Sequence, residues 1–437
     1  MNKTSFFTLV KNEYIKIAKK RSTKIIMVLF VLMLIAMPGF FKVINLMEMS
    51  ENEQYSMSVS GSDQLTYMIS DLDSEDVSYA ELKKELFKYL IDEDVSWQDW
   101  RLNAAQDIYE SDDKQKIQTV SIFCRTGDWR GYYRYAADHT DMEGLKWGYE
   151  YMLAHEITVM DYSDPTIRAL ESVVQAKNSL QFGEDEKDKA EEQIGLYQLE
   201  NGTGNTRGKE SLYALDLSSG SLGFWDIYML TPKLIMAAGI VMIIVAGGIV
   251  ASEFGQGTIK FLLINPVKRW KILMAKYFTV LSMGLGMAVF MELFTVLSVG
   301  AMFGFDLDVP YLTYSGGAVH ELNSFVFVTR AYLLSFVQLV VTATLAFCLS
   351  SLVRSSALAI GVSLGTLFIG SNASAILGQL GVDWARFLVF SNTDLLTISQ
   401  GGSVFPEHTL FFALCVIAAH MTVFILTAYD AFTRRSV

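Results

Sequence analysis

Cysteine and charge are what this chain has little of. Three cysteines occur in 437 residues. Cys348 and Cys415 fall inside long apolar stretches, so Cys124 stands alone and no disulfide framework can form. Any large polar region must therefore hold itself together by packing. Charged residues make up 19% of the chain and hydrophobic ones 51%, whereas soluble domains carry about a quarter charged residues. Chemical signatures are scarce as well. The five histidines, His139, His155, His320, His408 and His420, show no metal-ligand spacing. No Gly-x-Ser-x-Gly elbow occurs. The string nearest to a phosphate-cradling loop, Gly202-Thr203-Gly204-Asn205-Thr206-Arg207-Gly208-Lys209-Glu210, has the wrong glycine spacing and Glu where a magnesium-binding hydroxyl belongs. The expectation is a non-catalytic chain with no metal and no cofactor of its own.

What the chain does have is apolar length. A helix needs about 20 apolar residues to cross roughly 30 Å of hydrocarbon. Residues 25–44, 234–251, 277–305, 331–353, 355–380 and 409–429 qualify. Three of the six contain no charge and no histidine. Charge divides with them: residues 46–227 hold 16 basic and 37 acidic side chains, and the remainder 19 and 10, which makes −21 against +9. The basic residues between spans collect on one side if the N-terminus is cytoplasmic, fifteen of them by that count. Trp225 and Trp384 then lie near the outer surface and Trp270 near the inner one. The reading is a multi-pass protein of the cell membrane with both termini inside and residues 46–227 outside. Three parts follow: 1–45, an interfacial helix and the first span; 46–227, the acidic domain; and 228–437, the remaining spans. An acidic outer domain argues against nucleic-acid binding.

Residues 4–24 form an amphipathic pattern, with Phe6, Val10, Tyr14 and Ile17 on one face and Asn12, Lys16, Lys19 and Lys20 on the other, suited to an anionic lipid surface. Beyond the first span, residues 48–63 read as irregular. Helical spacing then predicts helices over 80–91, 97–109, 144–157, 165–181 and 184–200. Asp164-Pro165 starts the fourth of these, and Asn201-Gly202 ends the last and begins a flexible link. No long alternating pattern predicts a strand, so the domain is expected to be mostly α-helical. Within it Trp129, Tyr132, Tyr133 and Trp147 are binding candidates for sugars or peptides, although helical core packing is the favoured reading of so many aromatics. Inside the membrane, Glu292 and His420 are the polar residues to weigh. They could serve a proton or cation path, but interhelical hydrogen bonding is the favoured reading.

The most informative stretch joins the second and third spans, residues 252–276. It carries Glu253, Gly257, Thr258, Phe261, Leu263, Pro266, Arg269 and Lys276. Asn265 can cap a helix beginning at Pro266, and Phe261 to Leu263 present an apolar face that needs a partner. The spacing of Glu, Gly-Thr, two leucines, Pro, Arg and Lys resembles the coupling segment of ABC-transporter permeases of the type-2 exporter superfamily. The N-terminal helix with Asn12-Glu13 and Lys16 resembles that family's elbow helix, and residues 46–227 lie outside the resemblance. The resemblance implies an all-α polytopic fold of six spans and a segment that docks onto a separate cytoplasmic ATPase, which holds the ATP and magnesium. It also implies a second permease copy or homologue as partner and short re-entrant helices within 382–408. Two other classes stay open: an ion-coupled secondary transporter using Glu292 and His420, and a membrane-anchored extracellular sensor or binding protein.

Overall fold

The computed structural model describes residues 6–58, 61–74, 78–161, 164–183, 185–202, 222–257, 267–305, 309–399, 402–405 and 407–434. It divides into two compact units. One, the membrane unit, comprises Met1–Phe41, Gly223–Asp306 and Phe325–Val437; the other, the acidic unit, comprises Lys42–Leu222 and Leu307–Ser324. The protein is an all-α polytopic membrane protein. Among the described residues six helices are long and apolar enough to cross a bilayer: Arg21–Met47, Phe224–Ile249, Arg269–Phe303, Ser324–Leu352, Ser356–Gln379 and Leu410–Thr433.

The second span deviates from a plain rod where its sequence requires it. It opens with a short helix, Phe224–Tyr228, and passes through a tighter turn, Thr231–Leu234, at Pro232 before Ile235–Ile249 begins. It breaks again at Val250, and the main-chain N–H groups of Val250 and Ala251 donate instead to the Ser350 hydroxyl of the fourth span, at 3.2 and 3.0 Å. Buried amides need such a partner. The third span has 35 residues, more than the hydrocarbon thickness requires. Its helix begins at Arg269 after an extended Lys268. Asn265 and Pro266 lie outside the described residues, as do Thr258, Phe261 and Leu263. Between the fifth and sixth spans come three short pieces, Asp383–Phe387, Val389–Asn392 and Leu395–Ser399.

The acidic unit is a stack of short helices, from Gly61–Ser74 to Glu186–Asn201. Asp99, Asp113, Asp128, Asp164 and Asp185 each cap a helix, the side chain accepting a main-chain N–H of the first turn. Part of the acidic excess therefore does helix-starting work, satisfying free N–H groups and the positive end of the helix dipole. The core gathers Leu65, Leu86, Phe87, Trp100, Ile117 and Tyr132, all 5% exposed or less. Cys124 is free and buried within it, and burial pushes its thiol up to about 12. The Asn45 side-chain amide pairs with the main chain of Leu222, receiving its N–H at 3.0 Å and donating to its carbonyl at 3.5 Å, which closes the unit where the chain leaves it.

Two features depart from expectation. The helix of the first span runs on as far as Ser58 instead of giving way to irregular chain. Residues 48–58 contain no glycine or proline to stop it. A hairpin, Tyr311–Ser315 with Ala318–Leu322, pairs Tyr311 with Leu322 and Ser315 with Ala318. Gly316 and Gly317 turn it with φ of 60° and 83°, the conformation a two-residue hairpin loop demands. The hairpin joins the acidic unit, where Tyr197 of the last helix donates to Glu321 at 3.1 Å.

Candidate functional site

The N-terminal helix, Phe6–Lys19, packs against the third span. Phe6 meets Phe278 edge-on at 6.0 Å, and the Tyr14 hydroxyl donates to Ser282 at 2.7 Å. On the same side it presents Glu13, which is 7% exposed. Four charges converge there. Lys276, about two turns into the third-span helix and 0% exposed, donates to Glu13 Oε2 at 2.9 Å, to Glu253 Oε1 at 2.8 Å and to the Ile249 carbonyl at 3.2 Å. Lys16 closes the ring from the partly exposed side, reaching Glu13 Oε1 at 2.9 Å and Glu253 Oε1 at 3.0 Å. Two carboxylates answer two ammonium groups, so the cluster is neutral as a whole.

Burial alone would raise the Glu13 carboxyl, but Lys276 and then Lys16 outweigh it and hold the group below its ordinary value. Burial likewise works to lower Lys16, and Glu253 and Glu13 reverse that, so its ammonium is held above the ordinary range. The Ile249 carbonyl is available to Lys276 because the helix is interrupted at Val250, which removes an intrahelical claim on it. The break in the second span and the ion cluster are therefore one arrangement.

Glu253 and Lys276 stand at the two ends of the segment read as coupling, and both are buried. Their place is to fix where the segment enters and leaves the membrane unit. Gly257 ends the helix Ala251–Gly255 region with φ of 68°, a conformation that strains any residue with a Cβ. Arg269 donates to the Thr433 carbonyl at 3.3 Å, joining the start of the third span to the end of the sixth. The sequence pointed to Glu253 and Lys276 individually and to Lys16 as part of a basic helix face; Glu13 entered only through the elbow-helix resemblance. Nothing local marks the four as partners.

The other candidates separate. Glu292 accepts from Thr329 Oγ1 of the fourth span at 2.5 Å, while His420 Nδ1 lies 2.9 Å from the Val416 carbonyl of its own helix. They share no partner. One turn beyond Glu292, Thr295 meets the Tyr332 hydroxyl at 3.1 Å, and Tyr332 donates to Thr231 at 2.7 Å, which binds the second, third and fourth spans by hydroxyls. In the acidic unit Tyr132 and Tyr133 are 1% and 3% exposed, and Tyr132 stacks on Trp100 at 5.4 Å. Trp129 and Trp147 pack against the same core and carry Arg130 and Lys177 over their rings at 4.3 and 5.5 Å. Among the described residues no group of three His, Cys, Asp or Glu side chains could hold a metal ion.

Comparison with known proteins gives relatives without assigned activity. The chain is 34% identical over 216 residues to the uncharacterized protein YhcI of Bacillus subtilis (strain 168), covering 49% of this chain and 69% of that one. It is 30% identical over 208 residues to the uncharacterized membrane protein YdbK of the same organism, covering 47% and 80%. No solved structure matches. The model of the family described as "Protein of unknown function (DUF2705)" matches residues 201–437, which take in all spans but the first and both Glu253 and Lys276. By that match, over more than half its length, the chain belongs to the DUF2705 family.

Proposed function

We propose that this chain is the membrane-spanning permease subunit of an ATP-driven exporter, working with a separate cytoplasmic ATPase and with a second permease copy or homologue. The observation that carries the reading is the buried cluster of Glu13, Lys16, Glu253 and Lys276. It clamps both ends of the 254–275 segment to the N-terminal helix and to the second and third spans. A force applied to that segment would reach the spans rather than be lost in a slack loop, which is what transmission between distant sites requires. In this reading the termini and the segment face the cytoplasm, residues 46–227 lie outside, and the protein sits in the cytoplasmic membrane. The chain contributes shape change, and its partner contributes hydrolysis.

The test is purification of the full chain from its own membranes in mild detergent. An ATPase with a phosphate loop should accompany it, with vanadate-sensitive hydrolysis. Phe261→Asp with Leu263→Asp should lose the partner while the protein stays folded. A chain that purifies without any ATPase, and whose ion-coupled transport stops on Glu292→Gln, would replace this reading with a secondary transporter.

A further inference from the structure

The connection between the fifth and sixth spans closes on one histidine. His408 is 8% exposed, with Nε2 2.8 Å from Asn392 Oδ1 and Nδ1 2.7 Å from Ser403 Oγ. The Asn392 amide nitrogen donates to the carbonyls of Arg386 and Leu388 at 2.8 and 2.7 Å, which turns its oxygen toward the ring. An amide oxygen only accepts, so Nε2 carries the proton. Nδ1 is then an acceptor, supplied by the Ser403 hydroxyl, and Ser403 Oγ in turn receives the Phe405 N–H at 3.2 Å. In the neutral imidazole every proton of this network has one place; a second ring proton, at Nδ1, would have to donate to Ser403 Oγ and turn the hydroxyl's own proton away.

The surroundings do not favour a charged one. Phe405 and Phe412 stand edge-on to the ring at 5.7 and 5.6 Å. The Arg386 guanidinium lies over Phe387 and Phe412 at 5.2 and 5.8 Å. Among the described residues no acid is ion-paired with it: Asp394 is engaged with Thr397 at 2.6 Å and acts on Lys233 of the second span, and Asp383 and Glu407 are exposed. The fifth span and the first two turns of the sixth contain no charged residue. Burial and then Arg386 hold His408 below its ordinary value.

What the histidine closes is packed onto the spans. A Cβ at Gly370 would lie 2.4 Å from Phe390, and one at Gly378 2.5 Å from Val404, so the connection rests directly on the fifth-span backbone. Val389, Leu395 and Ile398 share a core with Val341 of the fourth span and with Ala413 and Ile417 of the sixth.

We propose that His408 is a proton-sensitive latch on this connection. A proton arriving from solvent at Nδ1 reverses the Ser403 bond, sets a second positive charge beside Arg386, and loosens residues 383–408 from the fourth, fifth and sixth spans. The sign follows from the lowered affinity for protons: the closed form is fully favoured above the ordinary histidine range and loses that advantage as pH falls through it. Under the topology proposed above, acid outside the cell would be the trigger; the latch itself does not depend on that topology or on an ATPase partner.

Hydrogen exchange of the full chain in lipid nanodiscs tests it, from about pH 7.5 to about pH 5 with intrinsic rates corrected. Peptides within 383–409 should lose protection about tenfold across that range, while third-span peptides hold theirs. His408→Gln, which cannot titrate, should show no step. Arg386→Gln, which removes the neighbouring positive charge, should make the wild-type step smaller. Unchanged protection of the wild type down to the acid limit, the same step in His408→Gln, or an undiminished step in Arg386→Gln would each overturn the latch.

Discussion

In the membrane unit Glu13, Glu253 and Lys276 are buried and answered by one another, with Lys16 at the margin. In the acidic unit, pairs such as Arg125 with Glu85 and Arg130 with Glu156 lie at the surface, and the interior is aliphatic and aromatic. Lys83 and Lys84 are exceptions there: Lys84, 7% exposed, pairs with the exposed Asp73 and Glu81 at 2.6 and 2.9 Å, while Lys83, 0% exposed, donates to the Tyr109 carbonyl at the end of the helix Trp100–Tyr109, where the helix dipole favours a cation. The contrast follows from the solvent on offer. Water can screen a surface charge at almost no cost, whereas a charge at the edge of hydrocarbon must bring its counter-charge with it. The membrane unit therefore uses ions as specific fasteners, and the acidic unit uses apolar area.

The largest expected effect breaks that distinction at Lys276. Lys276→Met leaves two buried carboxylates facing each other and should cost about 3–5 kcal/mol, read as a lowered melting point of the full chain in detergent. Adding Glu13→Gln and Glu253→Gln should recover most of the loss, because it is the uncompensated charge that destabilises. Phe87→Ala probes the other unit. Its side chain is 0% exposed, and its removal should cost about 3 kcal/mol, with no rescue by any charge change and no dependence on salt.

Acid should separate the two units further. Because Glu13 is held below its ordinary value, its share of the cluster's stability is complete above the usual carboxylate range and fades as pH falls through the lowered value. Thermal scans against pH should show this slope in the wild type and lack it in Glu13→Gln. Gly257→Ala forces a Cβ into a left-handed backbone and should cost about 1 kcal/mol where the chain leaves the second span. The smallest effect belongs to Glu85→Gln, since its pair with Arg125 is largely exposed; a change of under about 0.5 kcal/mol is expected.

How much of this was readable in the chain depended on range. The six spans were, because about 20 apolar residues are a local requirement. Asp164-Pro165 and Asn201-Gly202 were, because a cap acts within one turn, and the helices Pro165–Phe182 and Glu186–Asn201 begin and end there. The hairpin could have been seen in Gly316-Gly317, but five-residue strands give too short an alternation to stand out. The helices Lys114–Thr126 and Trp129–Asp138 were not among those expected, because thirteen and ten residues give too few turns for a helical period to stand out.

The sequence by itself determined the membrane class, the place of the spans and the split between a basic membrane part and an acidic domain, because apolar length and charge are sums over neighbours. Only the tertiary structure decided that Glu13 and Lys276, 263 positions apart, face each other, that Ser350 serves the broken second span, and that His408 answers Asn392. Such bonds depend on where helices lie against one another. A buried charge has no local signature; it becomes affordable only once its partner has been folded into place.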